Sequence, residues 1–281
     1  MPAQLTVAAA DDRPIALFDS GFGGLTVARA VIDLLPDEHV VYVGDTGRYP
    51  YGPRPQGEVA GFAHQITRYL VEEHRAKLVV VACNTAAAAA LDELQRTAGV
   101  PVVGVIDPGA RAVVAATRSG RVGVIGTVGT IGSGAYQRAV AAASAGAPVE
   151  LTCAACPGFV ELVERDETRS DQVHVLAQRL LAPVVEAGVD SLLLGCTHYP
   201  YLARTISDVA GRDVVLVSSA DETAFEVRAL LRSGAGPAPR SPAAGPPTRR
   251  FLSSGDVEWF RRLGARLLGP EVATVEHVAW G

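Results

Sequence analysis

Lysine is almost missing from this chain of 281 residues: Lys77 is the only one. It precedes an apolar run instead of following one, so it is poorly placed to carry a pyridoxal Schiff base. Long basic runs are absent too. The formal net charge is −5 and the Arg249-Arg250 pair is too short to form a stripe, which argues against direct nucleic-acid binding. No apolar stretch reaches the roughly 18–20 residues of a membrane-spanning helix, so no membrane association is expected. Met1 to Arg13 has neither a basic start nor an apolar core before a cleavage site. It reads as an N-terminal extension, not a signal peptide, and the expected compartment is cytoplasmic. Thiols stay reduced there, so Cys83, Cys153, Cys156 and Cys196 are expected to be free thiols, ligands or nucleophiles before disulfides.

What is present is apolar and patterned. Hydrophobic residues make up 48% and charged residues 20%, enough for a sizeable core and for two α/β domains. Short β-branched runs at 15–18, 40–43, 78–82 and 102–105 predict buried parallel strands. Helices are expected between them at 26–35, 58–74 and 86–97. The pattern then restarts with strands at 122–125, 149–152, 191–194 and 214–217. The helices predicted with them are 135–143, 159–164, 173–187 and 202–209. Such alternation implies parallel sheets flanked by helices. Residues 233–248 are nearly all Gly, Ala, Pro and Ser, a composition that cannot order itself by burying apolar surface. They are expected to form a flexible surface loop before a last strand and helix within 251–268.

One long-range echo stands out. Leu78-Val-Val-Val-Ala-Cys83-Asn84-Thr85 and Leu192-Leu-Leu-Gly-Cys196-Thr197-His198 each run from an apolar strand into a thiol and then polar side chains. Ligands of open α/β sheets bind beyond the carboxyl ends of strands, so two thiols are expected to flank one cleft if the halves face each other. A lone cysteine is more often buried and inert; a matched pair is not well explained that way. Asn84, Thr85 and Thr197 offer donors for a small carboxylate, and a nearby His198 favours a thiolate. Asp19-Ser20-Gly-Phe-Gly-Gly lacks both the Walker lysine and the dinucleotide glycine spacing. Its glycines suit close approach to a small anion, with Ser20 as donor and Asp19 as either a helix cap or a catalytic carboxylate. The turn-rich Gly44-to-Gly52 stretch and Gly126-Thr127-Val-Gly-Thr130 follow strands in the same way and are candidate walls or plain caps. Cys153-Ala-Ala-Cys156 has no second pair to complete a zinc site, and no metal is expected. Glu161 and Glu164 share a short predicted helix, from which one of them can reach the cleft.

Together these segments resemble the glutamate racemase family. The match runs in order through Asp19-Ser20-Gly-Phe-Gly-Gly, Gly44-Asp-Thr-Gly-Arg with Pro50-Tyr51-Gly52, Cys83-Asn84-Thr85, Gly123-Val-Ile-Gly-Thr127, Cys156-Pro to Glu164, and Gly195-Cys196-Thr197-His198-Tyr-Pro. It departs at Tyr49, usually apolar, at Arg54-Pro55, where a capping Ser is usual, and at Gly158 and Glu161. The resemblance implies two pseudo-symmetric α/β domains, residues 14–106 with 219–281 and residues 107–218, with glutamate bound between them. It implies Cys83 as the base for D-glutamate and Cys196 as the base for L-glutamate. Asp19 would assist Cys83, while His198 and Glu164 would assist Cys196. Ser20, Tyr51, Gly52, Asn84, Thr85 and Thr197 would bind substrate, with Thr127, Thr130, Asp19 and His198 as further contacts.

Inverting Cα needs a proton removed from one face and another delivered to the opposite face. Two thiols of similar pKa, one ionised and one protonated, do this reversibly and without a cofactor. The implied role is supply of D-glutamate for peptidoglycan synthesis and cell shape. By resemblance alone, a homodimer and an interaction with DNA gyrase are open. Rival readings are an aspartate racemase, another two-cysteine isomerase, or a non-enzymatic module binding a metal or a protein partner.

Overall fold

A computed structural model describes residues 10–280, apart from the Leu267 side chain. Most of the expected N-terminal extension, residues 1–9, therefore lies outside the described residues. The chain runs β1 (Ile15–Asp19), α1 (Leu25–Leu34), β2 (Val40–Gly44), α2 (Gln56–Glu72), β3 (Leu78–Val81), α3 (Asn84–Thr97) and β4 (Val102–Gly104). After α4 (Ile106–Ala116) come β5 (Arg121–Gly126), α5 (Val128–Gly132), α6 (Ala135–Ala143), β6 (Glu150–Ala155), α7 (Phe159–Glu164), α8 (Asp171–Glu186) and β7 (Ser191–Gly195). Then follow α9 (Ala203–Ala210), β8 (Val215–Val217), α10 (Ala220–Arg232), β9 (Arg249–Ser253), α11 (Val257–Leu268) and β10 (Glu276–His277). No described helix is long and apolar enough to cross a membrane.

The strands form two parallel sheets, β10-β9-β2-β1-β3-β4 and β6-β5-β7-β8. Register pairs Ile15 with Val40 and Leu78 in the first sheet, and Val122 with Leu151 and Ser191 in the second. β1, β2, β3 and β7 are buried along their whole length. That is the reason their sequences are continuous apolar runs: helices cover both faces, so no solvent side exists to demand alternation. The chain passes from the first sheet to the second through α4 and returns through α10, and these two helices pack on each other.

The sequence reading missed α4, α10 and β10, and placed no helix at α5, whose five residues are too few for a periodic signal. Pro108 and Gly109 make α4 look like a loop, yet Pro108 lies in the first turn, where a missing N–H is harmless. In α10, exposed Phe225 interrupts the apolar stripe, although Asp221 and Glu222 in the first turn suit the helix dipole. β10 is two exposed residues held by pairing with β9 and by the Arg250–Glu276 ion pair, contacts that leave no local signal.

Segment 233–248 is irregular apart from a 3-10 turn at Pro242–Ala244, but it is anchored. Arg240 is buried: its backbone N–H donates to Glu38 Oε1 at 2.9 Å, and its guanidinium donates to the carbonyls of Asp37, Ala244 and Gly245. The lone lysine belongs to the same clip, with Nζ 2.7 Å from Glu38 Oε2 and donating to the carbonyls of Asp11 and Ala238. Composition alone hid this because one buried arginine supplies the order that apolar surface does not.

Candidate active site

The carboxyl ends of both sheets point at one small cavity of about 90 Å³, where roughly 10–15 Å³ of such space holds a water. That suits a small molecule and excludes a nucleotide. Loops after β1, β2 and β3 supply Ser20, Tyr51, Gly52, Cys83, Asn84 and Thr85; those after β5 and β7 supply Thr127, Cys196, Thr197 and His198. Ten of the thirteen residues singled out in the sequence thus line the cavity. Asp19, Glu164 and Thr130 do not; each stands behind a residue that does.

Cys83 caps the start of α3, its sulfur accepting the Ala86 N–H at 3.5 Å. Burial pushes its thiol up to about 12, and the nearby Asp19 carboxylate adds to the rise. Hydrogen bonds from the Ala86 N–H and from the N–H and hydroxyl of Ser20 work the other way, stabilising a thiolate. Asp19 is both of the things its sequence position allowed. Its Oδ2 caps the turn into α1, accepting the N–H groups of Gly21 and Gly24 at 3.2 and 3.1 Å. Its Oδ1 is buried with no hydrogen-bond partner among the described residues.

On the other wall, burial raises the Cys196 thiol well above its ordinary value; the His198 N–H opposes the rise, while Cys83, Asp19 and Cys156 reinforce it. Cys196 Sγ lies 3.9 Å from His198 Nδ1, and His198 Nε2 lies 3.5 Å from Glu164 Oε1. The second contact is within ion-pair range but longer than a good hydrogen bond. Phe22, from the first half of the chain, meets the His198 ring edge-on at 4.9 Å. Gly23 comes so close that a Cβ there would sit 2.5 Å from His198 Nδ1 and Thr197 Oγ1.

The hydroxyls of Thr85, Thr127 and Thr130 form a triangle with sides of 3.1, 3.2 and 2.9 Å. Tyr136 donates to Asn84 Oδ1 at 2.5 Å, so the amide oxygen is fixed while Nδ2 is buried without a partner among the described residues. A free donor on the cavity wall suits a carboxylate. Gly52 links the two halves, its carbonyl accepting the Gly129 N–H at 2.9 Å. The Tyr51 hydroxyl is committed to Asp45, so Tyr51 lines the cavity without offering that hydroxyl as a free donor.

Several lining residues were not singled out in the sequence as site residues: Tyr49, Pro50, Pro53, Val128, Cys156, Pro157, Gly158 and Val160; of the Glu161 and Glu164 pair, Glu161 is the one that lines the cavity. Cys156 entered the sequence argument only as half of a Cys-x-x-Cys pair with no partners for zinc. It is buried, yet it borders the cavity because β6 ends beside β5, and a strand-end position was the available signal. Cys153 and Cys156 are free, and no third His, Cys, Asp or Glu completes a metal site with them among the described residues. Neither lysine nor arginine lines the cavity. The unpartnered donor on this wall, Asn84 Nδ2, is neutral, so it keeps its position without bringing a mobile charge.

Known proteins match this arrangement. Residues 25–226 match the family model described as Asp/Glu/Hydantoin racemase. A glutamate racemase from Acidothermus cellulolyticus is 52% identical over 262 residues, covering 93% of this chain and 97% of its own length. A solved glutamate racemase isoform from Bacillus anthracis superposes with a TM-score of 0.87 at 40% identity, covering 95% of this chain and 97% of that one. Another, from Francisella tularensis in complex with D-glutamate, gives 0.85 at 31% identity, covering 95% and 98%. With the fold, the paired strand-end thiols and these relatives in agreement, the chain belongs to the glutamate racemase family of amino-acid isomerases.

Proposed function

We propose that this glutamate racemase works by a two-base mechanism in which Cys83 removes the α-proton of D-glutamate and Cys196 that of L-glutamate. The observation that carries the reading is the arrival of both thiols at one cavity from opposite sheets. In each direction one sulfur takes the proton as thiolate while the other, as thiol, returns a proton to the opposite face. Both thiols are pushed up by burial, which favours their neutral forms. The substrate brings its own ammonium, and a cation beside a thiol offsets the desolvation that holds it protonated.

Asp19 supports the Cys83 side through its unpartnered Oδ1, and His198 with Glu164 supports the Cys196 side. Asn84 Nδ2, the threonine hydroxyls and the amides at the start of α3 hold the substrate carboxylates. As charge develops on the α-carboxylate in the transition state, these fixed donors stabilise it in a cavity with little room for water. The Francisella tularensis relative in complex with D-glutamate supports glutamate as the substrate here. D-Glutamate made this way would supply cytoplasmic peptidoglycan synthesis.

The test is α-proton exchange in D₂O from each enantiomer. The parent protein should exchange and racemise both. Cys83→Ala and Cys196→Ala should each abolish racemisation, and full activity in either would reject the two-base assignment. Exchange with aspartate but not glutamate would reject the substrate.

A further inference from the structure

Asp45 directly follows β2, at the head of the loop that walls the cavity, and its carboxylate is fully buried. Four donors meet it. Oδ2 accepts Arg48 Nε at 2.7 Å and the Tyr51 hydroxyl; Oδ1 accepts Ser254 Oγ at 2.6 Å and the indole Nε1 of Trp280 at 2.6 Å. A buried carboxylate is stable only when its lone pairs are met, and here the two oxygens divide the work. One holds the loop that bears Tyr51 and Gly52. The other is held by residues more than 200 positions away in sequence.

Trp280 has further contacts besides Asp45. Its ring meets Tyr69 edge-on at 5.6 Å, and the Arg48 guanidinium stacks 4.8 Å above it while also lying 4.2 Å from the Phe62 ring. Three residues before it, β10 adds to the sheet edge by pairing with β9, and the Val278 N–H donates to the Ser253 carbonyl at 3.0 Å. The indole is therefore a rigid donor delivered by the sheet, not a side chain that follows the loop.

We propose that Trp280 is a positioning residue for the substrate: by fixing Asp45 it sets the register of Tyr51 and Gly52 on the cavity wall. This rests on the racemase reading of the same cavity. Without the indole donor, the carboxylate turns toward Ser254 and Oδ2 leaves the Tyr51 hydroxyl, so the wall shifts on the substrate side. Tyr51 takes no part in proton transfer and would hold ground state and transition state alike. Loss of that contact raises KM and leaves kcat in place.

Trp280→Phe keeps the stacking on Tyr69 and Arg48 and removes only the N–H donor. Its KM for both glutamate enantiomers is expected to rise about 3- to 10-fold, with kcat within about twofold, the share of a charge-assisted hydrogen bond that reaches the substrate. A role confined to stability would lower the melting temperature and leave KM alone; a KM within about twofold of the parent's therefore overturns the proposal whatever the melting temperature does. A second readout does not depend on that variant folding. The chain has two tryptophans, so in Trp259→Phe the emission comes from Trp280, and it should shift as D-glutamate saturates the cavity. Unchanged emission at saturation also overturns it. Either failure in a protein that still racemises glutamate leaves the racemase assignment standing, whereas loss of racemisation in the parent protein would sink that assignment instead.

Discussion

Gly23→Ala tests the idea that the two halves of the chain are held in catalytic register by backbone contact at His198. The added Cβ would stand 2.5 Å from His198 Nδ1, 2.5 Å from Thr197 Oγ1 and 2.7 Å from His198 Cε1. Ordinary contact needs roughly 3.5–4 Å, so about 1 Å of movement is forced. His198 has little freedom to provide it, with Phe22 edge-on at 4.9 Å, Tyr49 at 6.3 Å and Glu164 at 3.5 Å. Either the imidazole leaves Cys196 or the halves part. Overpacking of this kind costs about 1–3 kcal/mol of stability. A misplacement near 1 Å costs about 100-fold in rate where reacting groups must be aligned. The assay is racemisation followed by circular dichroism from each enantiomer, with thermal unfolding measured alongside. The enantiomers have equal free energy in solution, so kcat/KM must fall equally in both directions, an internal check on the data. Gly61→Ala is the matched control: it lies exposed within α2 and a Cβ there meets nothing within 4 Å. It should leave kcat/KM alone and stabilise by about 1 kcal/mol through helix propensity. Activity of Gly23→Ala within twofold of the parent would falsify the argument from close approach.

Alkaline pH should destabilise the fold. Burial lifts the Cys83 and Cys156 thiols from 9.0 to about 12, so between those values the folded chain keeps protons that the unfolded chain releases. Their contribution is complete below pH 9 and is lost as pH rises toward 12, with a limiting slope near 1.4 kcal/mol per pH unit for each group. Urea midpoints from pH 8.5 to 10.5 should fall, and Cys156→Ala should make the fall shallower; an unchanged slope contradicts the assignment. Arg240→Ala removes the guanidinium anchor of segment 233–248 and leaves the carbonyls of Asp37, Ala244 and Gly245 without that donor. It should cost about 2–4 kcal/mol and open the segment to proteolysis. Glu38 and Lys77 precede β2 and β3, at the sheet end opposite the cavity, so kcat/KM of the folded variant should match the parent's. Reduced kcat/KM in a fully folded Arg240→Ala protein would show that this clip reaches the active site.

Strands, sheet class and the two strand-end thiols at the cavity were legible in the sequence because the physics behind them is local. A strand buried on both faces needs an unbroken apolar run, and β1, β3 and β7 each have one, with polar residues only at the strand ends. A thiol directly after such a strand stands at the ligand-binding end of the sheet, whichever strands turn out to be its neighbours. Asp19 and His198 were legible for the same reason, each a polar group at or just past a strand end. The sequence left open whether Asp19 caps a helix or serves the site; it does the first with one oxygen and leaves the other free.

Contacts between distant parts of the chain were decided only in three dimensions. The free Asn84 amide, the threonine triangle, the approach of Gly23 to His198 and the Trp280 hold on Asp45 each join residues from different elements. The anchoring of segment 233–248 is of the same kind: its composition spoke for disorder, and one arginine reaching Asp37 and Glu38 overrode it. A hydrogen bond or a close approach depends on where two segments are brought by everything packed between them, and no window of neighbouring residues contains that information.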